Sequence, residues 1–183
     1  PETDRSAKLA DLTGRLAEAV ANGQRALVFS QFAGPHFGAR RLARALAAFD
    51  PLLLTGELDA QSRASVVSRF QDSDRHKVLV LSLRAGGTGL NLTSASHVFH
   101  FDRWWNPAVE TQAEDRAYRI GQTRPVHIHA YLSADTIEER IADILAEKRA
   151  LFADMVDGVT ARGLARLDIE TLKRAIAPEL AGR

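Results

Sequence analysis

Apolar and polar positions along the chain follow two different periods. Between Ser6 and Ala21, Leu9, Leu12, Leu16 and Val20 recur at helical spacing, and Gly23 stands where a helix C-terminus is commonly closed. Short and nearly unbroken apolar runs read as buried strands at Arg25–Ser30 (RALVFS), Pro51–Thr55 (PLLLT), Lys77–Ser82 (KVLVLS) and His97–Phe101 (HVFHF). Val126–Leu132 (VHIHAYL) alternates strictly and reads as a strand with one wetter face. Helical spacing predicts further helices at His36–Phe49, Asp59–Phe70 and Asn106–Ile120, with Asp59 and Asn106 as N-caps. It also predicts a long helix over Thr136–Phe152, acidic at its start, and shorter helices over Met155–Arg183, stopped by Pro178.

Strands separated by helices imply an α/β fold: a parallel sheet with helices on both faces. In such sheets ligands bind beyond the carboxyl ends of the strands. The unusual residues obey that rule. Ser30-Gln31-Phe32 follows the first strand, Thr55-Gly56 the second, Ser82 to Gly89 the third and Asp102 to Trp105 the fourth. Four loops gathered on one edge mark the expected site.

Composition narrows the chemistry. The 183 residues include no cysteine, which excludes disulfides, thiolate metal sites and a cysteine nucleophile. No apolar run approaches the ~18 residues of a membrane span. Lys plus Arg is 24 against 23 acidic residues, a net charge of +1, which argues against a basic tail but leaves room for a local nucleic-acid patch. All but four of the basic residues are arginine, and alanine is abundant, which points to a GC-rich, bacterial source. The chain starts at Pro1 and its one methionine is Met155, so it is expected to be a piece of a longer protein.

Several engines are missing. There is no GxxxxGK[ST] phosphate loop, no acidic strand end of the DExH type for Mg²⁺, no HExxH and no GxSxG. The glycine-dense stretch Arg84-Ala85-Gly86-Gly87-Thr88-Gly89-Leu90-Asn91 reads either as a tight strand-to-helix turn or as backbone N–H groups open to a phosphate or ribose. In the helix from Asn106, Gln112, Arg116 and Arg119 are spaced i, i+4, i+7 and are expected on one face. Two guanidiniums a turn apart need an anion. Asp115 is the local candidate, and a polyphosphate from outside the domain is the other. His97, His100, His127 and His129 alternate on strands near aromatic residues and read as packing or surface groups, because no carboxylate spacing completes a metal site.

The stretches AGGTGLNLTSASHVFHFDRWWNP and QAEDRAYRIGQ, then VHIHAYL and TIEERI, resemble the second RecA-like lobe of SWI/SNF-type DNA translocase ATPases, in helicase superfamily two. ALVFSQF (26–32) resembles motif IV of that family. LTG (54–56) with Arg63 and Phe70 resembles motif IVa, SLRAGGTGLNLT (82–93) motif V and QAEDRAYRIGQ (112–122) motif VI. The match runs in order from about Ser6 to Lys148. Tyr118 stands where the family usually has His, a position that does not supply arginine charge.

The resemblance implies roles. Arg116 and Arg119 would be arginine fingers toward ATP on the first lobe. Gly87, Gly89, Asn91 and Gln112 would lie on the nucleotide side of the cleft. Ser30, Gln31, Thr55, Gly56, Arg63, Ser82 and Arg84 would face the DNA backbone, and Trp105 would approach the groove. ATP and Mg²⁺ would be bound mainly by the missing first lobe. The partners implied are double-stranded DNA and that first lobe of the same polypeptide. The domain division expected is 1–152 for the RecA-like helicase C-terminal lobe and 153–183 for a helical extension, a brace or a docking segment for transcription or repair machinery. Rival readings are a lobe of a strand-separating helicase, which RIGQ and FDxxWNP disfavour, and a non-catalytic protein-docking module. The location expected is cytoplasmic and nucleoid-associated in a bacterium, nuclear in a eukaryote.

Overall fold

The computed structural model describes residues 6–34, 36–86, 89–102, 104 and 107–132. The chain divides into two compact units, Pro1–Tyr131 and Leu132–Arg183. The helices expected after Ser133, and with them the division at 152, lie outside the described residues.

The five strands fall where the apolar runs predict them: β1 (Ala26–Ser30), β2 (Leu52–Leu54), β3 (Val78–Ser82), β4 (His97–His100) and β5 (His127–Ala130). All pair in parallel, in the order β2-β3-β1-β4-β5. Every residue of β1 and β3 is buried, as a strand covered on both faces requires. Leu27, Phe29, Leu79 and Leu81 point to one core with Phe70, Leu92, Ala113 and Ala117. Val28, Val78, Val80 and Phe99 point to the other, with Leu12, Leu16, Leu42 and Leu46.

The helices have legible causes. α1 (Ala7–Ala21) lays Leu12, Leu16 and Ala19 on the sheet. It ends at Gly23, whose φ of +73° lets the Gly23 and Gln24 N–H groups turn back to the carbonyls of Val20 and Ala19. α2 (Ala39–Ala45) begins three residues later than its periodicity predicts and passes into a 3₁₀ turn at Ala47–Phe49. The delay is set by Gly38 (φ +78°), whose missing side chain lets the chain fold back on Phe32. A Cβ there would lie 2.4 Å from the Phe32 carbonyl oxygen. α3 (Ala60–Asp72) is capped by Asp59, whose Oδ1 accepts from the Ser62 N–H at 2.7 Å. α4 (Leu83–Gly86) is a single turn after β3, and α5 (Pro107–Glu114) follows β4.

Three contacts fix the region around α5. Glu110 is buried and accepts from the Trp104 N–H at 2.9 Å. His100, 1% exposed and stacked on Phe29, shares a 3.0 Å hydrogen bond with Glu114. The buried Nδ1 of His100 has no hydrogen-bond partner, so of the two tautomers the one with its proton on Nε2 avoids an unpaired N–H. Gln122 then staples the turn after α5 to the strand entry. Its amide nitrogen donates to the carbonyls of Thr93 (3.0 Å), Ala95 (2.8 Å) and Ala117 (3.1 Å), and its Oε1 accepts from the Arg124 N–H at 2.9 Å.

His97, Phe99, His127 and His129 share one face of β4 and β5 and stack, with Phe99 and His129 rings 4.6 Å apart. The reading of these histidines as packing residues holds in this geometry. Burial first, then the charges of His127 and His129, holds the His97 ring below the usual imidazole range, against the pull of Glu18. Burial, then Arg15 and His127, does the same for His129, against Asp11. The folded state therefore prefers neutral rings. Its stability is full above the unfolded imidazole value of about 6.5 and declines as pH falls through the lowered folded values. The thermal midpoint of the chain should drop on acidification below about pH 6.5, with a shallower fall in His97→Gln; a flat profile would contradict the depression. Gln122→Glu should set a carboxylate against three carbonyls and cost about 1–3 kcal/mol in urea unfolding at neutral pH. Relative to the parent chain, that loss should shrink on acidification as the new carboxyl regains a proton to donate.

Candidate nucleotide and nucleic-acid interface

A parallel sheet sends every carboxyl end to one edge, so the loops after β1, β2, β3 and β4 meet there. β1 is followed by α2, which packs on one face. β4 is followed by α5, which packs on the other. The crevice between β1 and β4 is thus the topological switch point, the usual ligand position in open α/β sheets.

The motif VI helix is shorter than its spacing predicts. α5 stops at Glu114, not at Ile120. The Arg116 N–H reaches back to Ala113 and the Ala117 N–H to Glu114, both i−3 contacts, while the Tyr118 N–H also reaches Glu114. The Arg116 carbonyl is taken by the N–H of Leu92, at 3.0 Å, so it is not left to a next helical turn. A tertiary bond between the glycine-rich segment and the arginine segment therefore replaces the helical continuation. Gln112, Arg116 and Arg119 are not three points on one continuous helix.

Their environments differ accordingly. Arg116 is 6% exposed, whereas Gln112 and Arg119 are exposed. The buried Nε of Arg116 has no hydrogen-bond partner. Burial, with Arg119 adding to it, lowers the Arg116 guanidinium from its ordinary value, and Asp115 only partly opposes this. No ion pair joins Asp115 to Arg119 among the described residues; Asp115 acts on Arg116 only at a distance. A buried cation with an orphan donor fits an anion arriving from outside the lobe. Arginine suits that task because its fork is planar, always charged and bidentate.

The remaining nominated residues divide into exposed and buried. Gly89 (φ +51°) and Asn91 are exposed, and the Asn91 carbonyl accepts from Gln71 at 3.1 Å. Gly56 is exposed and Gln31 half-buried. Arg63 is partly buried and donates to the Leu58 carbonyl at 3.0 Å. Ser30, Thr55 and Ser82 are buried in the lobe. The Ser30 hydroxyl donates to Asp102 at 2.6 Å and accepts from the Phe32 N–H at 3.2 Å, and the Ser82 hydroxyl accepts from the Ala85 N–H at 3.4 Å. Arg84 falls on α4, Gly87 and Trp105 lie outside the described residues, and Trp104 packs against the core. An ion pair between Arg40 and Glu57 joins the start of α2 to the turn after β2.

Sequence reasoning did not nominate Asp102, His100, Glu110, Glu114 or Gln122 as site-positioning groups. Asp102 bonds groups 72 and 71 residues back, His100 and Glu114 are 14 apart, and Glu110 takes a main-chain N–H six residues back; periodicity carries no signal for such pairs. The RIGQ ending was visible, but not that its Gln122 would bond three carbonyls. Among the described residues no group of His, Asp and Glu has the geometry to hold a metal ion.

Comparisons with known proteins agree with this architecture. The model of the helicase conserved C-terminal domain matches residues 7–121. A putative ATP-dependent helicase/translocase, YwqA of Bacillus subtilis, is 44% identical over 83% of this chain and 16% of its own length. The DNA repair protein RAD5 of Saccharomyces cerevisiae is 47% identical over 52% of this chain and 8% of its own. Among solved structures, the SWI2/SNF2 ATPase core of Sulfolobus solfataricus in complex with dsDNA superposes with a TM-score of 0.65 at 36% identity, covering 93% of this chain and 36% of that one. The chain thus spans about one sixth of the length of YwqA. It belongs to the SWI2/SNF2-type ATPases, as a RecA-like helicase C-terminal lobe.

Proposed function

We propose that this chain is the second motor lobe of an ATP-dependent translocase that moves along double-stranded DNA. The observation that carries this reading is Arg116: a buried guanidinium with an orphan Nε and an exposed arginine, Arg119, three residues on. Among the described residues no ion pair to either guanidinium is present and Asp115 only partly offsets their charge, which suits the γ-phosphate of a nucleotide held by a facing lobe. ATP would supply the γ-phosphoryl group, which passes to water as ADP leaves, and Mg²⁺ would neutralise part of its charge.

In this reading Arg116 and Arg119 stabilise the charge that develops on the phosphoryl oxygens. Arginine fingers contribute roughly 10³–10⁵ in rate, or about 4–7 kcal/mol. Their attraction to the anion draws this lobe toward its partner, and loss of the γ-phosphate removes the attraction. Gln112, Gly87, Gly89 and Asn91 are assigned to the nucleotide side of the cleft. Gln31, Gly56, Arg63, Arg84 and Trp105 are assigned to the DNA side. Ser30, Thr55 and Ser82 support the DNA-facing loops from within, since their side chains are buried. The solved Sulfolobus core in complex with dsDNA supports a duplex partner. Backbone contacts carry no base information, so duplex binding should be non-specific and salt-sensitive.

In a polypeptide that carries both lobes, Arg116→Ala and Arg119→Ala should each cut DNA-stimulated ATP turnover by about 10³ while ATP affinity changes little. Near-parental kcat in both variants would remove the finger assignment. The chain alone should show no DNA-stimulated ATPase, because it has no phosphate loop. Displacement of a triplex strand without unwinding of a forked duplex is the expected motor signature; unwinding of the fork would favour a strand-separating helicase.

A further inference from the structure

Asp102 sits at the mouth of the crevice between β1 and β4, where a ligand is normally received. Its carboxylate is turned inward. Oδ2 accepts from the Ser30 hydroxyl and Oδ1 from the Gln31 N–H, both at 2.6 Å. These partners are 72 and 71 residues away in sequence. Two short charge-assisted bonds from one carboxylate define both the position and the direction of the loop they hold. The Ser30 hydroxyl passes the constraint on by accepting from the Phe32 N–H at 3.2 Å. The far end of the same loop is closed by the Ala39 N–H on the Phe32 carbonyl at 2.9 Å. The loop after β1 is therefore anchored at both ends, and one anchor belongs to the segment that leads into α5.

We propose that Asp102 is a positioning residue that fixes the Ser30–Phe32 turn for contact with duplex DNA and ties it to the segment leading into the arginine-bearing turn. The inference rests on the motor-lobe reading for its DNA component. A carboxylate at a DNA-facing edge repels phosphate and gains nothing as a direct contact. Its geometric role is to engage inward donors, so that the Gln31 side chain emerges from a backbone that cannot swing away.

The test compares two variants of equal charge. Asp102→Asn and Asp102→Ala both remove one negative charge. Only the carboxamide can still accept from Gln31 and bond Ser30. Two measurements are made on the 183-residue chain: amide hydrogen exchange at Gln31 and Phe32, and affinity for a short fluorescein-labelled DNA duplex at low salt. Asp102→Ala should speed exchange at both amides by roughly tenfold or more, with β1 core amides unchanged, while Asp102→Asn stays within about threefold of the parent. Duplex binding by Asp102→Ala should be roughly 3–10-fold weaker than by Asp102→Asn, in the range of one lost hydrogen-bond constraint. Ser30→Ala, which removes one arm and keeps the charge, should fall between parent and Asp102→Ala in exchange at Gln31; at Phe32, whose acceptor it removes, exchange should be at least as fast as in Asp102→Ala, and the variant serves if Asp102→Ala does not fold. Equal duplex affinity in the Asn and Ala variants, or unchanged Gln31 exchange in Asp102→Ala or Ser30→Ala, would overturn the proposal. A parent chain with no duplex affinity at low salt counts against the motor reading, while the exchange series still decides whether Asp102 holds the loop.

Discussion

The bond from the Leu92 N–H to the Arg116 carbonyl is the constraint on which the site depends. It ends α5 early, turns the chain at the first arginine, and locks the glycine-rich segment to the arginine segment. The Arg116 guanidinium is buried beside a second cation and left with an unmatched donor. That is costly for an isolated lobe and sensible for one that meets an anion.

Around this bond the fold adds supports of increasing reach. His100 and Glu114 fix the end of α5 to β4, Gln122 fixes the following turn to the entry of β4, and Glu110 fixes the start of the helix to Trp104. Asp102 extends the chain of supports across the crevice to β1. Motifs that look separate in sequence are therefore joined by hydrogen bonds. The parallel sheet makes this possible because it delivers all the relevant loops to one edge.

Much of this was legible beforehand, and the misses share a cause. The strands and α1 follow from apolar runs and spacing, which report burial directly. Asp59 and Gly23 follow from local capping chemistry, since their partners lie within four residues. The end of α5 did not follow, because Gln112, Arg116 and Arg119 satisfy helical spacing whether or not the helix continues, and the deciding bond comes from Leu92. The start of α2 was misplaced because the period runs on through Gly38 while the backbone does not. The burial of Ser30, Thr55 and Ser82 was equally invisible: a hydroxyl at a strand end reads as available until its partner is known.

Gly38 carries a consequence for how freely this lobe can vary. Exposed loops are normally where a protein tolerates change. Here the smallest replacement is blocked, because a Cβ would strike the carbonyl oxygen, carbonyl carbon and Cβ of Phe32 at 2.4–2.6 Å. Every glycine codon lies one base from an alanine codon, so the change that mutation offers in a single step is also one that the backbone refuses. A half-buried loop position in an alanine-rich chain thus has the mutational intolerance of a core residue, imposed by main-chain closeness and not by packing.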